Sequence, residues 1–234
     1  MSPIFYKLKV WSMIPLLSFS LSFSAELSGT IRYEGQAIPL KTLTMEKDPT
    51  CHGLHKTPIK AENLILGKKG ALGNVIIKIV SGLPNVKYAP PQSPALISQR
   101  GCKYSPHVSV VQKGQRVHFL NPNKTSHNIH SKSRVNRAFN TIMPKYKKKY
   151  DMSFKKVEEP FELKCDVHPW MNAWVTVTDH PFFAVSSSNG QFTIKGIPAG
   201  TYEVEAWHEM FGKKTATIKL VGPDSKTLDF TFAK

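Results

Sequence analysis

Apolar and polar residues alternate in short runs along most of the chain. The runs are Leu27 to Tyr33, Val75 to Val80, Val108 to Gln112, Arg116 to Leu120, Phe161 to Lys164, Trp174 to Thr178, Gln191 to Lys195, Tyr202 to Trp207, Thr215 to Leu220 and Thr227 to Phe232. Turn formers separate them: Gly35, Pro84, Lys113-Gly114, Pro122, Asn189-Gly190 and Pro198-Ala199-Gly200. Successive side chains on a strand point to opposite faces, so a period of two with turns at this spacing predicts an all-β chain of sandwich or barrel type. One short helix is expected, near Ala61 to Leu66. The stretch Pro84 to Pro94 carries four prolines and reads as a linker or domain edge.

The first residues follow a different pattern. Lys7 and Lys9 precede a stretch from Val10 to Phe23 that is apolar apart from a few serines, and Ser22 and Ser24 are the small residues of a cleavage site. This is the layout of a secretory signal peptide over residues 1–24, and it implies a periplasmic or extracellular protein. No apolar run reaches the ~20 residues of a membrane-spanning helix. The 234 residues carry 32 Lys plus Arg against 16 Asp plus Glu, a formal charge of +16. That excess bears on partners and steering, not on fold.

The strongest chemical signal is Cys165-Asp166-Val167-His168-Pro169-Trp170-Met171. A thiol, an imidazole and a thioether fall within seven residues. Soft sulfur ligands with imidazole suit copper, and two His, one Cys and a weak axial Met make the electron-transfer copper arrangement. A second His must come from elsewhere: His127, followed by Asn128, or His130 three residues on. Zinc fits less well, because Met is a poor zinc ligand and a closed structural site wants more Cys or His. The plain alternative is a buried thiol, a surface His and a core Met.

Upstream of this loop stand Tyr104-Ser105-Pro106, Val108, Val110, Gly114, Val117, Phe119 and Asn121, then His127-Asn128. Together with Cys-x-x-His-x-x-Met, this order resembles the cupredoxins, and the ligand loop is most similar to that of amicyanin. The resemblance spans residues 92–179 and implies a Greek-key sandwich with one type 1 copper held by His127, Cys165, His168 and Met171. It also implies that Asn128 ties the two ligand-bearing loops together, that Trp170 packs drily beside the metal, and that the edge of His168 is exposed for electron entry. With Cys165 committed to copper, an exported protein would pair the two remaining cysteines, Cys51 and Cys102, as a disulfide. The rival is a second metal site at Cys51-His52-Gly53-Leu54-His55.

Ser188 to Tyr202, with its Asn189-Gly190 turn, resembles carboxypeptidase regulatory-like or transthyretin-like modules, and Ser28 to Gly35 resembles their opening strand. The expected organisation is a second β-sandwich built from residues 25–91 and 180–234, with the cupredoxin unit inserted; two sequential domains are the alternative. The combination is similar to exported bacterial plastocyanin-like proteins. Trp207-His208-Glu209 and Asp179-His180-Pro181 lack an accompanying nucleophile, paired carboxylate or phosphate loop, so no catalysis is assigned. Lys124, Lys132, Arg134, Arg137, Lys145, Lys147, Lys148 and Lys149 form either a solvated hairpin or a docking surface for an acidic redox protein. Nucleic acid is not expected as a partner. The resemblance implies a one-electron carrier; a copper carrier and a cell-envelope binding module are the alternatives.

Overall fold

The computed structural model describes residues 24–223 and 225–233, and the expected signal segment lies outside them apart from Ser24. The N-terminal strands are β1 (Ser24–Tyr33), β2 (Ile65–Leu66), β3 (Leu72–Gly73) and β4 (Ile76–Ser81). The middle of the chain forms β5 (Ala95–Ser98), β6 (Val108–Gln112), β7 (Val117–Leu120), β8 (His127–Ser131), β9 (Asn140–Met143), β10 (Lys149–Met152), β11 (Glu158–Lys164) and β12 (Asn172–Thr178). Then come β13 (Phe183–Val185), β14 (Gln191–Pro198), β15 (Gly200–His208), β16 (Gly212–Leu220), β17 (Ser225–Thr227) and β18 (Phe230–Phe232). The chain is all-β, and no described helix is long and apolar enough to cross a membrane.

Two hydrophobic cores organise these strands. In the first, a sheet ordered β14-β1-β17, with β18 also on β1, faces a sheet ordered β13-β4-β15-β16. Leu27, Ile31, Ile77, Ile79, Phe192 and Val204 fill the space between them. Strand β1 is antiparallel to β14, with Leu27 opposite Ile194, and parallel to β17 and β18, so both ends of the described chain meet in one sheet. Gly190 turns into β14 with φ 76°, and an added Cβ would collide with the Ile31 carbonyl oxygen, so the turn needs glycine twice over.

The second core lies between a sheet ordered β10-β7-β5 and one ordered β6-β12-β11-β8-β9. Val117, Phe119, Ile129, Phe161, Leu163 and Val175 are buried there. Met45 and Cys51 are buried in this core too, with Leu43 and Ile59 packed against it. The segment around them is thus a strap laid over the middle strands, although it falls within the expected 25–91 unit. The Cys51–Cys102 disulfide holds it there.

The helix expected near Ala61 to Leu66 does not form. Ala61 N–H donates to the Lys41 carbonyl, Thr42 bridges Lys60, and Ile65–Leu66 pairs with Leu72–Gly73, so the backbone is used in extended pairing instead. The short helix is α1, Pro49–His52, one turn long. Asp48 caps it by accepting from Cys51 N–H at 2.9 Å, and Pro49 sits in the first turn, where its missing N–H costs nothing. The proline-rich stretch is pinned, because Gln112 Nε2 donates to the carbonyls of Tyr88 (2.9 Å) and Ala89 (3.2 Å).

Side-chain pairs brace the two cores. Glu209 accepts from Trp174 Nε1 at 3.0 Å and pairs with His107, while Trp174 and Trp207 meet edge to face at 5.2 Å. Buried Lys78 reaches Glu159 at 2.7 Å and Glu205 at 3.2 Å. His180 donates Nε2–H to the Ile79 carbonyl and accepts from Phe182 N–H at Nδ1. His180 and Glu209 therefore take up structural hydrogen bonds, while His208 accepts from Met210 N–H at Nδ1 and its buried Nε2 meets no partner among the described residues.

Candidate metal centre

Cys165 follows β11 directly. Its N–H donates to the Met171 carbonyl (3.1 Å) and Met171 N–H donates to the His168 carbonyl (2.9 Å), closing the seven residues into a tight loop. Asn128 Oδ1 accepts from the N–H groups of Asp166 (2.6 Å) and Val167 (3.3 Å), which links this loop to β8. Tyr104, fully buried, donates its hydroxyl to the Asn128 carbonyl at 2.6 Å and lies 3.1 Å from that of Lys164. These bonds fix where the loop presents its side chains.

His127 opens β8, fully buried. His130 stands three residues on, an odd step that sends it to the other face of the strand. There it pairs with Asp166 at 2.9 Å, at the surface. His127 Nδ1 lies 2.9 Å from His168 Nδ1, and Cys165 Sγ lies 3.7 Å from the same atom. The three donors are mutually within 4.8 Å, and all three residues are buried. Met171 is buried in the same core as Cys165.

The outer nitrogens of both rings are occupied. Asn123 Nδ2 is 2.9 Å from His127 Nε2, and His168 Nε2 donates to Asp48 Oδ2 at 2.9 Å. The inner Nδ1 edges therefore face only each other and the sulfur. Burial, and next the neighbouring His168, push the His127 pKa down to about 4, so the ring is neutral near pH 7; because Asn123 donates to Nε2, its one proton sits at Nδ1 toward His168 and must move before Nδ1 can hold a metal. Burial raises the Cys165 pKa, so this thiol gives up its proton only to a strong competitor such as a metal. Two imidazole Nδ1 atoms and a thiol, buried and converging with the outer ring edges already anchored, fit a soft or borderline metal ion. Asp48, Cys51 and His168 also cluster, but the Cys51 sulfur is bonded to Cys102.

The expected exposed edge of His168 is absent: the residue is 2% exposed. The strap explains this, since Asp48 caps α1 and places its other carboxylate oxygen on His168, while Cys51 Sγ sits 3.7 Å from Nε2. Trp170 covers the ring from the side at 4.9 Å between centroids and donates Nε1–H to the Cys102 carbonyl at 3.0 Å.

The basic residues are spread around β8. Lys124, Lys145, Lys147 and Lys148 lie at the end where His127 enters, because Asn121 N–H donates to the Lys148 carbonyl and Lys148 Nζ to the Asn123 carbonyl. Lys149 pairs with Asp151. Lys132, Arg134 and Arg137 follow the far end of the strand.

Asp48, Asn123 and Tyr104 position the centre without having been expected to. An Asp-Pro dipeptide signals a helix cap. Nothing local connects it to a histidine 120 residues later.

The architecture is thus all-β, with two pairs of packed sheets, each around its own core. Residues 167–233 match the family model of the carboxypeptidase regulatory-like domain. No curated protein matches the chain. Among solved structures, a Cu-containing nitrite reductase (NirK) from Thermus scotoductus SA-01 is similar at 20% identity over 43% of this chain, with TM-score 0.34. This chain spans 25% of the length of that enzyme. A purple cupredoxin from Nitrosopumilus maritimus is similar at 24% identity, covering 36% of this chain and 99% of its own, with TM-score 0.31. An oxidized point mutant of amicyanin is similar at 21% identity, covering 43% of this chain and 97% of its own, with TM-score 0.32. At such TM-scores the donor geometry and strand order, not the likeness, carry the reading.

Proposed function

We propose that this chain is an exported one-electron carrier with a type 1 copper centre held by His127, Cys165, His168 and Met171. The observation that carries the reading is the buried convergence of Cys165 with two Nδ1 atoms whose rings are anchored at their outer nitrogens. Bound copper would supply the Cu(I)/Cu(II) couple. The chain's own residues supply the rest. Asp48 keeps the proton of His168 at Nε2 and so leaves Nδ1 free, Asn128 fixes the Cys165 loop, and the surrounding core excludes water. The charge of +16 favours an acidic redox protein as partner.

The test is the visible absorption spectrum with one equivalent of Cu(II), for the wild type beside Cys165→Ser. An intense thiolate-to-copper band in the wild type alone is expected, and a colourless wild type overturns the reading. A copper carrier would use the same ligands but release metal readily. Burial beneath a disulfide-tethered strap favours slow release, so a chelator should strip the metal slowly while redox cycling stays fast.

A further inference from the structure

Resting on the copper reading above, we infer that Trp170, not His168, is the contact this chain offers to a redox partner, and that an acidic protein surface docks in the groove around it. His168 meets no solvent pathway of its own. Its Nδ1 faces His127, its Nε2 faces Asp48 and the disulfide, and its ring lies against Trp170. Of the two neighbours that lead outward, Asp48 is a carboxylate without a delocalised ring. Trp170 is an indole at 4.9 Å, pinned by its bond to the Cys102 carbonyl. That pinning keeps the ring from moving when charge passes.

Trp170 is partly buried and lines an open groove of about 550 Å³ together with Lys41, Lys47, Lys164, Glu162 and Glu209. Lys164 is neutralised by Glu162 at 3.3 Å, and Glu209 is turned onto His107 and Trp174. Lys41 and Lys47 are exposed and make no ion pair among the described residues. The groove therefore carries unpaired positive charge beside the indole that lies against His168, which suits an acidic partner. In the reaction one electron leaves the reduced centre and reduces the acceptor by one. No proton moves, no bond forms or breaks, and the indole bridges unchanged.

Two measurements test this on the full chain. In the metal-free protein, hexacyanochromate(III), an anionic and redox-inert relaxation agent, should broaden the Trp170 indole N–H and the amides near Lys41 and Lys47. Broadening centred on residues 145–149, or none at Trp170, overturns the proposal. In the copper-loaded protein, oxidation of the reduced form by hexacyanoferrate(III) is followed by stopped flow. Trp170→Leu should slow it by about tenfold or more with the copper band kept, whereas Trp170→Phe should retain most of the rate. The surface variant Lys41→Glu/Lys47→Glu, which leaves the core untouched, should slow it by about tenfold at low salt and little at high salt. A coloured protein whose rates ignore these variants overturns the Trp170 contact alone. A wild type without the band overturns the copper reading and this inference together.

Discussion

Glu158, at the start of β11, illustrates how single residues set the pH limits of this fold. Its buried carboxylate accepts from Ser133 Oγ (2.7 Å), from the N–H groups of Arg134, Val135 and Asn136, and from Asn136 Nδ2 (2.8 Å). Burial alone would raise its pKa, but these donors hold it at about 2. The stabilisation is present above the ordinary value of 4.5 and is lost as pH falls through about 2. Glu158→Ala leaves the N–H groups of Arg134, Val135 and Asn136 short of a partner and should cost about 2–4 kcal/mol, read as a lower urea midpoint at pH 7. His127 and His208 act in a different window. Both are buried and neutral, with pKa values lowered to about 4 from 6.5. The unfolded chain binds their protons first, so metal-free protein should lose stability as pH falls from 6.5 through 4, before Glu158 responds. Urea midpoints at about pH 7, 5.5, 4.5 and 3 separate the two windows. At the metal centre, the thiol that burial keeps protonated should release about one proton per metal bound near pH 7, counted by calorimetry in buffers of different ionisation enthalpy. The residue types of the centre were legible in the sequence, because a Cys, a His and a Met on one loop announce soft-metal chemistry. Parity along β8 alone separates His127 from His130 without saying which faces inward.

Among the elements, the strap around α1 has the largest effect on the centre. It contributes Asp48 to His168 and Thr125, and buries Met45 and Cys51 in the second core. Cys51 and Cys102 are 51 residues apart, so Cys51→Ser/Cys102→Ser should lower stability by about 2–4 kcal/mol, read from urea midpoints. The same variant should hasten removal of bound metal by a chelator, because the cover over His168 loosens. Strands with a clean alternation were legible: β14, Gln191–Pro198, alternates exposed and buried positions through Lys195, where the pattern puts a strand. Strands β8, β9 and β10 were not, and the reason is physical. In His127-Asn128-Ile129-His130-Ser131 the polar side chains are largely buried and hydrogen-bonded rather than turned to water, which erases the period of two. The strap was illegible too, since its contacts are made across long stretches of chain. A local pattern of helix formers near Ala61 was outweighed by extended pairing.

At the scale of the whole molecule, the two cores are joined by a few buried polar contacts and a pair of tryptophans. Glu209 is central to them, since it serves both His107 and Trp174. Glu209→Ala should leave each core intact yet uncouple them, splitting one calorimetric unfolding transition into two; a single unchanged transition would show that the brace lies elsewhere. The sequence suggested kinship between the two ends through their turn and strand motifs. The brace itself was hidden, because Trp207-His208-Glu209 reads equally well as an exposed strand end. One consequence follows from β1, which pairs with β14, β17 and β18. During synthesis it emerges before every other described strand, yet its partners are among the last to be made. For that whole interval it lacks its strand partners and keeps only a single bridge from Arg32 to Ala71, while every strand of the second core and both cysteines of the disulfide are already made. A chain stopped short of residue 191 should therefore already hold a metal centre while trailing an unpaired strand, a species primed to aggregate.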